Sequence, residues 1–61
     1  MSYYKGIIWF KDGHKQETGT FGGPGARESC ERQTAQCFND AMRRAQTPFF
    51  QPSRYEVVEV K

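Results

Sequence analysis

His14, Cys30 and Cys37 carry the most reactive side chains of this 61-residue chain, and their spacing decides what they can do. A zinc centre draws its ligands from pairs such as C-x-x-C or H-x-x-x-H, which hold two donors together on one turn or one helix face. Neither pair occurs, and His14, Cys30 and Cys37 alone do not complete a ligand set. No metal and no cofactor is expected, and neither chelation nor mild reductant should alter the fold. Cys30 and Cys37 fall two turns apart in a helical stretch, a separation of about 10 Å that a disulfide cannot span. Both should be free thiols packed as small apolar residues, which suits a reducing cytoplasm. A cysteine nucleophile needs a base beside it, and the single histidine belongs to a distant hairpin tip. No catalytic residue and no enzyme activity are expected.

Two further constellations could bind rather than react. Gly22-Gly23-Pro24-Gly25 precedes the helix, where free N–H groups can hold an anion. It lacks both Gly-Lys-Ser/Thr and the G-x-G-x-x-G spacing, so it reads as a flexible connector. Tyr3 and Trp9, with Lys5 and Lys11 between and beside them, could stack bases while the lysines hold phosphates. The same aromatics, with Ile7, are what a protein contact uses at its centre, with arginines at its rim. Nine Lys and Arg against seven Asp and Glu leave a net charge of only +2. So weak a field favours a protein partner, with a single-stranded nucleic acid as the alternative.

These residues must be positioned by a short list of elements. Residues 3 to 11 are rich in aromatic and β-branched types, and Asp12-Gly13 follows as a two-residue hairpin turn. Strand side chains alternate, so Tyr3, Ile7 and Trp9 line one face and Tyr4, Ile8 and Phe10 the other. Both faces are apolar, yet the chain supplies one helix, so one face should stay open to a partner. A two-residue turn sets Trp9 opposite Gln16, Ile7 opposite Thr18, Ile8 opposite Glu17, Gly6 opposite Gly19 and Tyr4 opposite Phe21. The pair of glycines would let a helix backbone approach, which makes the Gly6 face the one expected to be covered. The return strand, His14 to Phe21, is polar and suits a sheet edge.

From Ala26 to Ala45 the period becomes helical. Cys30, Thr34, Cys37, Phe38, Ala41 and Ala45 form one stripe, and charged residues fill the opposite side. Cys37, Phe38 and Ala41 are expected at its buried centre, so that Phe38→Ala should be severely destabilising. Glu28 lies early and Arg43 and Arg44 late, as the helix dipole favours. Pro48 should stop the helix after Thr47. After a loop over 49–53, residues 54 to 61 read as a closing strand that could pair beside the first.

The sum is a single small α+β domain over residues 1–61, β-β-α-β, with an antiparallel sheet covered on one face by one amphipathic helix. A chain this short buries only about 60% of its unfolded surface, so a partner or a homodimer would help it. The opening Met1-Ser2-Tyr3-Tyr4-Lys5 holds no apolar signal segment, and no stretch approaches a membrane span.

Those first five residues, the Asp12-Gly13 hairpin and the 26–45 helix together resemble small accessory proteins of bacteriophage early regions, the lambdoid phages included. The resemblance implies a non-enzymatic module that binds and redirects a host protein in the host cytoplasm. The residues expected to carry binding are Tyr3, Ile7 and Trp9 on the open sheet face, with Arg43 and Arg44 on the helix as the second candidate surface.

Overall fold

The computed structural model describes residues 2–60. Among them five elements are regular: β1 (Tyr3–Phe10), β2 (Lys15–Glu17), β3 (Phe21–Gly22), α1 (Ala26–Arg44) and β4 (Pro52–Val60), with a 3-10 turn at Pro48–Phe50 before β4. The class is α+β, a small antiparallel sheet with one helix across it. β1 is the central strand. β4 pairs along the whole of one edge, from Tyr3 with Val60 to Phe10 with Pro52, while β2 and β3 share the other edge.

The hairpin turns through Lys11, Asp12 and Gly13, not through Asp12-Gly13 alone. The Phe10 N–H donates to the His14 carbonyl at 2.9 Å, and the Gly13 N–H donates to the Phe10 carbonyl at 3.0 Å. Gly13 has φ 101°, a conformation open to glycine, so this is a tight turn closed by a glycine bulge. The extra loop residue moves the register by one. Trp9 faces Lys15, Ile8 faces Gln16 and Ile7 faces Glu17. A one-residue slip exchanges the faces of every side chain on the strand. Here it sends Lys15 and Glu17 to the uncovered face and Gln16 to the helix side, sparing two charges from burial.

A second irregularity cancels the first. Tyr4 faces Phe21, as a two-residue turn would have had it, so one residue is absorbed between Glu17 and Phe21. Thr18 organises this bulge: its N–H donates to the Gly6 carbonyl at 2.8 Å, and its Oγ1 accepts the Gly6 N–H at 2.9 Å. The side chain thus replaces a missing ladder acceptor. Gly19 lies within the bulge, where a Cβ would meet nothing within 4 Å; both Gly6 backbone groups are bonded to Thr18, so the expected Gly6–Gly19 pairing is absent.

The helix covers the Gly6 face. Ala26, Cys30 and Thr34 recur every fourth residue and are buried, Cys30 and Thr34 completely. A Cβ at Gly6 would stand 1.8 Å from Thr34 Oγ1, so the close approach belongs to Gly6 alone. Thr34 spends its hydroxyl locally, donating to the Cys30 carbonyl at 2.6 Å. Ile8, at 2% exposure, completes this contact from β1. The core centre therefore lies one to two turns earlier than the expected Cys37, Phe38 and Ala41, which are all half-buried. Phe38 meets Tyr55 of β4, with ring centroids 5.2 Å apart and planes tilted at 54°.

The helix ends before Pro48 imposes it. Ala45 is already extended, its N–H bonded to the Ala41 carbonyl at 3.0 Å. Pro48 instead opens the 3-10 turn, a position where its missing N–H costs nothing. Phe49 and Phe50 project from that turn edge to face, 60% and 54% exposed. The molecule is long and thin, 40 × 18 × 13 Å.

Candidate binding surface

The face of the sheet away from α1 carries Tyr3, Lys5, Ile7 and Trp9 from β1. Register adds Arg54, Glu56, Val58 and Val60 from β4 and Lys15 and Glu17 from β2. Tyr3, Ile7 and Trp9 are thus brought onto one surface. They are not equally available.

Tyr3 is 45% exposed and lies across Gly22, where a Cβ would come within 2.7 Å of the ring. The aromatic ring covers the backbone of an edge glycine and leaves its other side to solvent. Trp9 is half-buried beneath Arg54, whose guanidinium carbon sits 3.9 Å above the ring centroid. That distance is a cation–π contact. Ile7 is corrected from an exposed contact to a buried one, at 9% exposure. Its same-face neighbours are Lys5 and Trp9 along β1, with Glu17 and Glu56 across the sheet. Their long side chains roof a single isoleucine.

Two of the three cations on this face, Lys5 and Arg54, are matched by carboxylates. Lys5 Nζ lies 2.5 Å from Glu17 Oε1, and Arg54 Nη1 lies 3.9 Å from Glu56 Oε2. The hydrogen bond from Lys5, and its charge, hold the Glu17 carboxyl below the usual carboxylate range. The result is an amphipathic surface: aromatic and aliphatic area in which Lys5 and Arg54 each lie beside a carboxylate and Lys15 is the third cation.

Arg43 and Arg44 sit in the last turn of α1, both exposed. Arg43 pairs with Asp40, one turn back. Arg44 lines an open groove of about 400 Å³ with Phe10, Gln16, Cys37, Ala41 and Phe50. This second surface is on the helix side of the sheet, so Arg43 and Arg44 do not converge with Tyr3 and Trp9.

His14 belongs to the hairpin tip. Its ring stacks on Phe10 with centroids 4.3 Å apart and 8° between planes, and its Nδ1 bonds to Asp12. The His14 N–H also donates to Asp12 Oδ1 at 3.1 Å. That backbone bond first, and the ring second, lower the Asp12 pKa. Cys30 and Cys37 are both unbridged. Among the described residues no group of three or more His, Cys, Asp or Glu side chains gathers as a metal site. Gly23 and Gly25 both have positive φ and steer the chain into α1.

Arg54, Glu56 and the exposed Phe49–Phe50 pair were not singled out from sequence. The alternation Arg54, Glu56, Val58, Val60 is visible in the chain. Its meaning depends on pairing with β1, which alternation does not specify. No family model, curated protein or solved structure matches this chain. Among the described residues no helix is long and apolar enough to cross a membrane.

Proposed function

We propose that this chain is a non-enzymatic protein-binding module of the bacteriophage accessory kind, which contacts a host protein in the host cytoplasm through the open face of its sheet. Tyr3 and the Trp9–Arg54 stack are the contacts, and Val58 and Val60 widen the apolar area. The observation that carries the reading is that two of the three cations on this face, Lys5 and Arg54, are matched by carboxylates of the same face, with Lys15 as the third. A strand of nucleic acid needs cations free to release counterions from phosphates, whereas Lys5 is engaged by Glu17 and Arg54 by Glu56 and Trp9. A large aromatic under an arginine, bordered by paired charges, is the composition of a protein contact.

Affinity capture from a host lysate, with and without nuclease, tests this when run on the parent, on Tyr3→Ala/Trp9→Ala and on Arg43→Ala/Arg44→Ala. Circular dichroism establishes first that each variant is folded. The expected result is one host protein retained with and without nuclease, lost from the Tyr3/Trp9 variant and kept by the arginine variant. Retention should change little with salt, whereas phosphate contacts lose about 10³-fold or more between about 50 and 200 mM. A nuclease-sensitive, salt-sensitive catch would replace this reading with the single-stranded nucleic-acid one. Loss from the arginine variant alone would move the contact to the helix end.

A further inference from the structure

We propose that the outer edge of β4 is a self-pairing edge, at which two copies of this chain join antiparallel about a two-fold axis at Val57 into one continuous sheet.

The free edge is defined by the direction of the backbone groups. On β1, the Gly6 carbonyl accepts from Thr18 and the Phe10 N–H donates to His14, so even-numbered residues address β2 and β3. Odd-numbered residues address β4, and the Lys11 N–H continues this by donating to the Gln51 carbonyl at 3.1 Å. In an antiparallel ladder the opposed pairs alternate between bonded and non-bonded. With Lys5 opposite Val58, Ile7 opposite Glu56 and Trp9 opposite Arg54 as bonded pairs, Tyr55, Val57 and Glu59 aim their N–H and C=O groups outward. No second strand lies along β4 among the described residues.

The two edges of the sheet are unlike. One is broken into β2 and β3 by the Thr18 bulge and presents lysine, glutamine and glutamate, the devices that keep an edge from pairing. The other runs from Pro52 to Val60, and its one register shift lies at the Pro52 end. From Arg54 to Val60 it is regular and unbroken, with Arg54, Glu56 and Glu59 as its charged residues.

Its sequence suits a second copy of itself. A two-fold axis perpendicular to the sheet places one residue opposite its own counterpart. At Glu56 or Glu59 that residue is a carboxylate facing a carboxylate, which is repulsive. At Tyr55 the pairing would run into Pro52 and the register shift, and at Val58 the overlap shortens to residues 56–60. At Val57 the overlap spans residues 54–60 of each copy: Val57 faces Val57, Tyr55 faces Glu59, Glu56 faces Val58 and Arg54 faces Val60. No like charges are directly opposed. The bonded pairs are then those formed by Tyr55, Val57 and Glu59, whose backbone groups are free. The Tyr55 hydroxyl, on a side chain 39% exposed, gains a carboxylate as acceptor. Both helices fall on one side and both open faces on the other, so the edge contact leaves the surface assigned above uncovered and does not depend on it.

Sedimentation equilibrium and amide exchange on the purified chain test the proposal without any partner. The expected result is a monomer–dimer equilibrium in which the Tyr55, Val57 and Glu59 amides slow by at least about tenfold from dilute to concentrated protein. The Arg54, Glu56 and Val58 amides, already bonded to β1, should not respond. Tyr55→Glu sets two carboxylates opposite each other twice per dimer and should weaken association by at least about tenfold, while Tyr55→Lys should not weaken it. Both variants lose the same ring from Phe38, so their difference reads the interface and not the fold. Adding Glu59→Lys to Tyr55→Glu should restore association. A chain that stays monomeric to millimolar concentration, a dimer whose three outward amides remain fast, or equal behaviour of the Glu and Lys variants would overturn the proposal.

Discussion

Gly6 and Thr34 hold the most constrained contact of the molecule, since helix and central strand meet there with no room for a methyl group. Gly6→Ala should cost about 3 kcal/mol or more, the upper part of the range for overpacking a tight core. Thr34→Ala in that background removes the hydroxyl and the methyl, yet Thr34 Cβ itself lies 2.7 Å from the new atom. Rescue should be partial. Urea titration of the single and double variants measures both effects, and a Gly6→Ala protein as stable as its parent would contradict the packing. Charge at the exposed positions acts more gently. Asp12 and Glu17 both have lowered pKa values, Asp12 first through the His14 backbone N–H and then its ring, Glu17 through the hydrogen bond from and charge on Lys5. A carboxylate that is more acidic in the folded state stabilises above its unfolded pKa, and the contribution fades as pH falls through the folded value. Urea midpoints of Asp12→Asn and Glu17→Gln should therefore lie below the parent at neutral pH and converge on it below the usual carboxylate range. A gap that persists in acid would mean these carboxylates act by shape and not by charge.

At the scale of elements, the hairpin shows how local chemistry and tertiary demand divide the work. Asp12-Gly13 marks a turn correctly, but Lys11 joins the loop and the register moves by one. The moved register keeps Lys15 and Glu17 in solvent, and only the position of the helix makes that matter. Thr18 then restores the ladder by lending its side-chain oxygen to Gly6. Thr18→Val keeps the shape and removes the acceptor, leaving a partly buried N–H unsatisfied at a cost of about 1–3 kcal/mol. Thr18→Ser should stay close to the parent, with the Gly6 amide still protected from exchange. Equal stability of the Val and Ser variants would show that the bulge is held by other contacts. The helix was the easier element to read. Ala26 to Arg44 follows from one apolar stripe and its flanking charges, and the structure ends within a residue of the expected Ala45.

Across the whole molecule, a single helix on a narrow sheet leaves very little interior. Among the described residues Ile7, Ile8, Ala26, Cys30 and Pro52 are buried apolar side chains, and Tyr3, Met42, Phe49, Phe50 and Tyr55 stay exposed. The accessible surface is 4475 Å², against roughly 4,100 Å² for an average folded chain of this mass. Such a thin body gains more from association than a rounder one would. A second copy along β4 adds main-chain bonds without hiding the open face, whereas a host protein on that face would cover Tyr3 and Trp9. The two surfaces can therefore be occupied together, and the concentration dependence of the free chain separates them.

The sequence by itself determined the main element types, because each rests on a local signal: β-branched and aromatic composition before Asp12-Gly13 in residues 3 to 11, a three-and-four spacing from Ala26, and a glycine–proline break between them. It favoured the Gly6 face for the helix through an expected pairing of Gly6 with Gly19; the helix does cover that face, but Gly6 alone makes the close approach and pairs with Thr18 instead. Tertiary structure decided what depends on two segments meeting. Ile7 looked exposed because it faces away from the helix, yet Lys5, Glu17, Trp9 and Glu56 converge around it from three strands. The buried stretch of α1 is Ala26, Cys30 and Thr34, and not Cys37 to Ala41, because Thr34 is the helix residue that Gly6 admits closest to the sheet. Arg54 reached Trp9 only once β4 had taken its register beside β1. Periodicity along a chain states which side of an element is apolar; the residue that closes over it is supplied from elsewhere in the fold.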